Sequence, residues 1–191
     1  MKKLVAILLS AVLLISLVSC SKVEPTKKEE ESLSLPFESL KLSFCSGAGA
    51  WSTELALENN GTFTGVYTDS DMGSFADEYP DGTNYVCEFS GSFKNITKIN
   101  DYTYSLILDE VTTAKEFGEE WIEDSIRYIA SPPYGIYDGR EFILYTPDAP
   151  ISELEEDFLS WFPIGIEFDG EKLGKYGLYN VVTKDGFFSF E

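Results

Sequence analysis

Read for the alternation of apolar and polar residues, the chain from Leu35 onward is a succession of short strands. Leu35–Glu58 carries period-2 patterning, clearest over Trp51-Ser52-Thr53-Glu54-Leu55-Ala56-Leu57-Glu58, and predicts one long strand or two. Gly47 and Gly49, within Phe44-Cys45-Ser46-Gly47-Ala48-Gly49-Ala50-Trp51, allow a bend there that a Cβ would obstruct. Asn59-Asn60-Gly61 reads as a type I′ hairpin turn into a return strand over Thr62–Thr68. Asn84–Phe93, Tyr102–Val111, Arg140–Tyr145, Ile164–Phe168, Tyr176–Val182 and Phe187–Phe190 supply the remaining strands.

Two interruptions follow a helical period instead. Thr113-Ala114-Lys115-Glu116 is a capping box, and Phe117, Trp121, Ile122, Ser125, Ile126 and Ile129 recur at helical spacing until Ser131-Pro132-Pro133. Ser152-Glu153-Leu154-Glu155 is a second capping box, with Leu154, Phe158, Trp161 and Phe162 on one side and Pro163 as the stop. The predicted fold is mostly β (α+β): an antiparallel, barrel-like meander with two short appended helices. Trp121 and Trp161 then dock those helices on the sheet, while Trp51 seals one end of it as a largely buried plug.

Composition strengthens this reading. Among 191 residues, 43% are hydrophobic and 15% aromatic, with 14 Phe and 11 Tyr, enough for a true core and suited to pleated surfaces. The formal charge is −19, and no basic patch interrupts it, which excludes nucleic acid as a partner. The chain has no histidine, so Ser-His-Asp and Cys-His catalysis and His-ligated zinc are excluded together.

The first residues carry an address. Met1-Lys2-Lys3 is a positive n-region, Leu4–Ile15 an apolar run too short for a comfortable membrane span, and Leu17-Val18-Ser19-Cys20 fits the lipobox of bacterial lipoprotein signal peptides. Residues 1–19 are thus expected to be a signal peptide and Cys20 the lipidated N-terminus, on the extracytoplasmic face of the cell membrane. Stable anchoring takes more than one acyl chain, a palmitate among them. Residues 20–34, charged and without an apolar face, read as a flexible tether; residues 35–191 read as a single β-rich domain. Removing the leader leaves 12 basic and 33 acidic residues, a charge of −21.

Candidate chemistry concentrates in the polar segment Asp69–Asn84, which is longer than an ordinary connection. It gathers Asp69, Asp71, Asp77, Glu78 and Asp81. Asp69-Ser70-Asp71-Met72-Gly73 has the spacing of a calcium loop only in part. The glycine comes fifth where an EF-hand needs it sixth, and Pro80 stands where the bidentate glutamate belongs. No metal or other cofactor is therefore expected. Cys45 and Cys87, on separate predicted strands, are expected as two buried thiols in preference to a disulfide.

The blocks Gly47-Ala48-Gly49-Ala50-Trp51, Asp69-Ser70-Asp71-Met72-Gly73, Tyr79-Pro80-Asp81-Gly82-Thr83, Ser131-Pro132-Pro133-Tyr134-Gly135 and Tyr176-Gly177-Leu178-Tyr179-Asn180 resemble those of an uncharacterised extracytoplasmic lipoprotein family. That resemblance spans most of the chain after Phe44 and implies no activity. Gly49-Ala50-Trp51 also resembles the G-x-W that opens the first strand of lipocalin-like (calycin) barrels. Together these features lead to the expectation of a membrane-anchored, non-catalytic binding module. Its candidate ligand surface is Asp69, Asp71, Asp77, Glu78, Asp81 and Trp51, open to a small ligand. The alternatives are an acidic interaction protein that captures a cationic envelope partner, and a hydrolase built on paired carboxylates.

Overall fold

The computed structural model describes residues 33–163, 168 and 170–190; the leader, Cys20 and nearly all of the tether lie outside them. Among the described residues ten strands form one sheet: β1 (Ser39–Cys45), β2 (Trp51–Glu58), β3 (Thr62–Asp71), β4 (Thr83–Lys98), β5 (Thr103–Thr113), β6 (Glu120–Glu123), β7 (Ile126–Ala130), β8 (Glu141–Tyr145), β9 (Gly177–Asn180) and β10 (Asp185–Ser189). Their spatial order is β3-β2-β1-β10-β9-β8-β5-β4-β7-β6. Pairing of β3 with β4 closes the first eight into an antiparallel barrel. The β6–β7 hairpin hangs on the start of β4 through the parallel β4–β7 ladder.

Registers stack the inward residues in rows. Phe44, Thr53, Tyr67 and Cys87 are successive partners across β1 to β4; the next row down is Leu42, Leu55, Gly65 and Phe89, and below it lie Leu40, Leu57, Phe63 and Gly91. An eight-stranded barrel is only wide enough to be filled by its own side chains. Glycine and phenylalanine share that width: a Cβ on Gly65 would lie 2.3 Å from the Phe89 ring, and one on Gly91 would lie 2.5 Å from Phe63. Phe44, Phe142, Phe187, Leu42, Leu57, Leu106 and Leu144 complete a dry centre. Each such buried side chain contributes about 1.5–3 kcal/mol through removal from water. The lumen is therefore a packed core, unlike a ligand calyx.

The segment expected to be the first helix is instead the β6–β7 hairpin. Asp124 and Ser125 take φ of 48° and 67°, the paired positive angles of a type I′ turn, and Trp121 faces Tyr128 across the ladder. Thr113 Oγ1, expected to cap a helix, donates to the Lys115 carbonyl instead. Hydrophobic residues that match a helical period here also include Trp121, Ile122, Ile126 and Ile129, types that favour strands. The second expected helix shrinks to a 3-10 turn, Ile151–Glu153, and one helical turn, α1 (Glu156–Leu159), without side-chain capping at either N-terminus. The predicted strand over Ile164–Phe168 falls almost wholly outside the described residues. The turn at Asn59-Asn60-Gly61 has positive φ only at Gly61 (89°), so it is a three-residue loop closed by Gly61 N donating to the Glu58 carbonyl at 3.0 Å, and not type I′.

That α1 turn belongs to a second apolar cluster outside the barrel. Phe158 inserts among Tyr145, Tyr179 and Phe188, where Gly177 and Gly186 leave room for its ring. Strands β9 and β10 are buried on both faces in consequence. The β1–β10 ladder has only two register pairs and stops at Ser43–Phe188. Beyond it Trp161 packs edge-on against Phe44 at 4.7 Å, its indole N–H donating to the Lys184 carbonyl at 2.9 Å.

Candidate functional site

The strand directions give the barrel two unlike poles. The chain enters at the pole where β1 begins, beside the Asn59–Gly61 turn. The connections 46–50, 72–82, 114–140 and 181–184 all gather at the opposite pole. There the lumen ends in three buried polar side chains, Thr53, Asn180 and Asp185, exposed by 0%, 0% and 6%. Asp185 points inward because it continues the register row Leu106, Phe142, Asn180.

Two of the three hold a plug. Thr53 Oγ1 donates to the Tyr134 carbonyl at 2.8 Å and Asn180 Nδ2 to the Gly135 carbonyl at 2.9 Å, seating the loop 131–139 across the barrel mouth. Pro133 stiffens that loop while its carbonyl receives the Ile136 and Tyr137 amides, and Ile136 is fully buried beneath it. Gly135 is required on two counts: its φ is +83°, and a Cβ would lie 2.7 Å from Phe44 and 2.9 Å from Phe187.

Among the described residues the Asp185 side chain makes no hydrogen bond to the plug. Between loop 131–139 and the β9–β10 turn lies a cleft of about 300 Å³ lined by Tyr67, Tyr134, Tyr137, Asp138, Thr183 and Asp185, among others. Burial raises the Asp185 carboxyl above its ordinary value, the Thr183 hydroxyl donating at 2.5 Å opposes this, and Asp138 adds to the rise. Burial pushes the Tyr67 phenol up to about 12, with the Asp69 carboxylate next in effect, and burial followed by Asp185 raises Tyr134. The phenols therefore stay neutral at physiological pH. The cleft thus offers hydroxyls, aromatic faces and carboxylates, and no lysine or arginine lines it among the described residues.

The residues singled out in the sequence are divided by the fold. Trp51 and Asp69 are register partners at the rim of this pole, and Trp51 lies 5.0 Å from Tyr134, at the border of the cleft. Trp51 is half-buried and opens β2, the second strand of the barrel, so the mouth is closed by loop 131–139 and not by the indole alone. Asp71 is the last residue of β3, its carboxylate accepting from Gly73 N at 3.0 Å, and Asp77, Glu78 and Asp81 are exposed around the following turn. That connection is secured at one flank by Arg127, which bonds Thr83 Oγ1 and Ser74 Oγ and covers the Tyr79 ring at 4.7 Å. Among the described residues no three carboxylate or thiol side chains converge as a metal site.

Cys45 is exposed and Cys87 buried, which corrects the expectation of two buried thiols. Phe44 and Cys87 share an inward row, so Cys45 points outward, three ladder steps or roughly 14 Å away along the sheet, beyond disulfide reach. Burial, then Glu88, pushes the Cys87 thiol up to about 11 and leaves it unreactive. Other depressions lie on the outer wall. One of about 590 Å³ spans alternate outward residues such as Lys41, Glu54, Thr64 and Val66, and its openness to solvent leaves nothing convergent. Under the hairpin, Trp121 is engaged by Tyr128, stacked at 5.2 Å, and by the Lys115 ammonium at 4.5 Å.

The sequence reading missed Tyr137, Asp138, Thr183 and Asp185. The one signal for them was parity: Asp185 is in phase with Phe187, an acid on the inward face of the last strand. Compared with protein-family models, curated proteins and solved structures, the chain finds no match in any of the three.

Proposed function

We propose that this protein is a lipid-anchored, extracytoplasmic binding module that holds a small ligand in the cleft between loop 131–139 and the β9–β10 turn. The observation that carries the reading is polarity of construction. The chain enters the barrel at one pole, and the only buried carboxylate among the described residues faces a cleft at the other. A tether from Cys20 would present such a cleft away from the lipid surface. The lipobox Leu17-Val18-Ser19-Cys20 and the charged segment after it support the anchor, and the family blocks are in keeping with it.

The anchor and the cleft are tested separately. Cys20→Ala should move the protein from the membrane fraction to the soluble one and abolish labelling with a palmitate analogue. Labelling that survives would place the anchor elsewhere. For the cleft, the full chain in detergent is screened by ligand-observed NMR against a collection of neutral, anionic and cationic metabolites, with Tyr134→Ala as the comparison. Binders that lose contact in that variant support the module; a collection with none would remove the reading.

A second reading, carboxylate-based hydrolysis, is favoured by one observation: Asp138 and Asp185 line one cleft, and Asp185 is held toward its protonated form as a general acid must be. Its test is turnover of chromogenic glycosides by the wild type, lost in both Asp138→Asn and Asp185→Asn.

A further inference from the structure

We infer that the cleft at the loop pole selects organic ammonium ions, with the Asp185 and Asp138 carboxylates meeting the charge and the tyrosine rings enclosing its carbon shell. This rests on the binding-module reading and adds the class of ligand.

Asp185 is short of hydrogen-bond donors. It is buried, with 6% of the residue exposed, yet among the described residues its only side-chain hydrogen-bond donor is Thr183, on one oxygen. No fully buried side-chain oxygen in the described structure is left without a partner, so the second oxygen reaches the cleft. A buried carboxylate with one hydroxyl donor is costly to ionise, and the cost is offset by an opposite charge placed within a few ångströms. Among the described residues the fold supplies none. Lys184 lies between Thr183 and Asp185 in sequence, but its φ of +66° turns it outward, where its ammonium pairs with Asp157. Asp138, on the facing loop, adds a second negative charge to the same cleft.

The walls are as informative as the charges. Tyr67 and Tyr134 stand with ring centroids 5.9 Å apart at 63°, and Tyr137 adds a third ring, itself propped by Phe117 at 5.1 Å. Rings around a carboxylate form the surroundings that cations of low hydration prefer, since each ring presents a negative face. A bare metal ion is a poorer fit, because hard cations need six or more oxygens, while the ten lining residues include two carboxylates and three tyrosine rings. A cleft of about 300 Å³ has the volume of about ten waters, which suits an ammonium head and a short chain. The net charge of −19 raises the local concentration of any cation arriving at it.

The test uses amide NMR spectra of the full chain in detergent, titrated separately with choline, cadaverine and 3,3-dimethylbutan-1-ol, the uncharged carbon isostere of choline. Saturable shifts at Tyr134, Asp138, Thr183 and Asp185 are expected with the two cations and not with the alcohol. Asp185→Asn should weaken the cations at least tenfold and Asp138→Asn by a smaller factor, while Asp77→Asn, on the exposed turn, should leave them unchanged. Spectra of each variant without ligand verify the fold, and Asp138→Asn carries the test if Asp185→Asn disturbs it. Equal binding of the alcohol at those amides would overturn the ammonium class and leave a binding cleft standing. No saturable shift with either cation would overturn it as well, and the wider metabolite screen then decides whether the cleft binds anything.

Discussion

The hydroxyl of Thr53 donates to the carbonyl of Tyr134 at 2.8 Å across 81 residues of sequence, and so fastens the mouth loop to the inner wall of β2. Thr53→Val keeps the shape and removes the donor, leaving a carbonyl at the top of a dry lumen unpaired. The expected cost is about 1–3 kcal/mol, which for a domain of this size is several degrees in melting temperature. Thr53→Ser keeps the donor and should recover most of the loss. If valine and serine melt alike, the bond does not hold the loop.

Gly135 offers a sharper measure of how tightly that loop is seated. Gly135→Ala meets a positive φ of 83° and two phenylalanine rings, so strain and overpacking add to about 2–4 kcal/mol. Gly49 has a similar φ of 73° with open space around it, and Gly49→Ala should cost only about 1–2 kcal/mol. Chemical denaturation of the two variants compares them directly. Equal losses would mean that loop 131–139 yields at no cost and does not close the barrel.

The barrel was legible because alternation is decided locally. Leu40, Leu42 and Phe44, or Leu55 and Leu57, show their inward face in the order of the letters alone. The 113–131 segment was not, because Phe117, Trp121, Ile122, Ile126 and Ile129 satisfy a helical period and Asp124-Ser125 lacks the glycine that marks a type I′ turn. The cleft was the least legible. Tyr67, Tyr134 and Asp185 are far apart in sequence and meet only through the closure of β3 on β4 and the inward row that ends at Asp185. Long-range register of that kind leaves no local mark. The acidic segment Asp69–Asn84 drew attention by composition, yet its carboxylates spread along a strand end and an exposed turn.

The hairpin turn makes a prediction whose sign separates strand from helix. Asp124→Asn with Ser125→Gly places the preferred pair at two positions of positive φ and should stabilise the protein by about 0.5–1 kcal/mol. Were 113–131 a helix, glycine at 125 would fall in its interior and cost about 1 kcal/mol. The melting temperature of the double variant should therefore rise, with far-ultraviolet circular dichroism unchanged. A fall would return the segment to the helical reading.

Asp185 ties stability to pH in a direction opposite to that of an ion-paired acid. Burial first, and Asp138 with it, raise its carboxyl above the unfolded value, while Thr183 opposes them; Tyr134 also faces it. The folded state therefore holds this proton more tightly than the unfolded chain does. The stability it brings is fully present below the unfolded value near 3.9 and is lost as pH rises through the folded value. Asparagine at 185 cannot ionise and can still accept from Thr183, so the two proteins should melt together in acid and separate as pH rises. By pH 7 the Asp185→Asn variant should be the more stable. Contributions from carboxylates remote from the cleft cancel between the two proteins, which makes the difference between the two curves the quantity to measure. In Asp138→Asn the separation should be smaller, since one of the charges opposing ionisation is gone. A wild type that is more stable than Asp185→Asn at pH 7, or a difference that does not change with pH, would show that Asp185 already has a favourable charge partner in the fold. In that case the cleft would have no unmet charge to offer an ammonium ion.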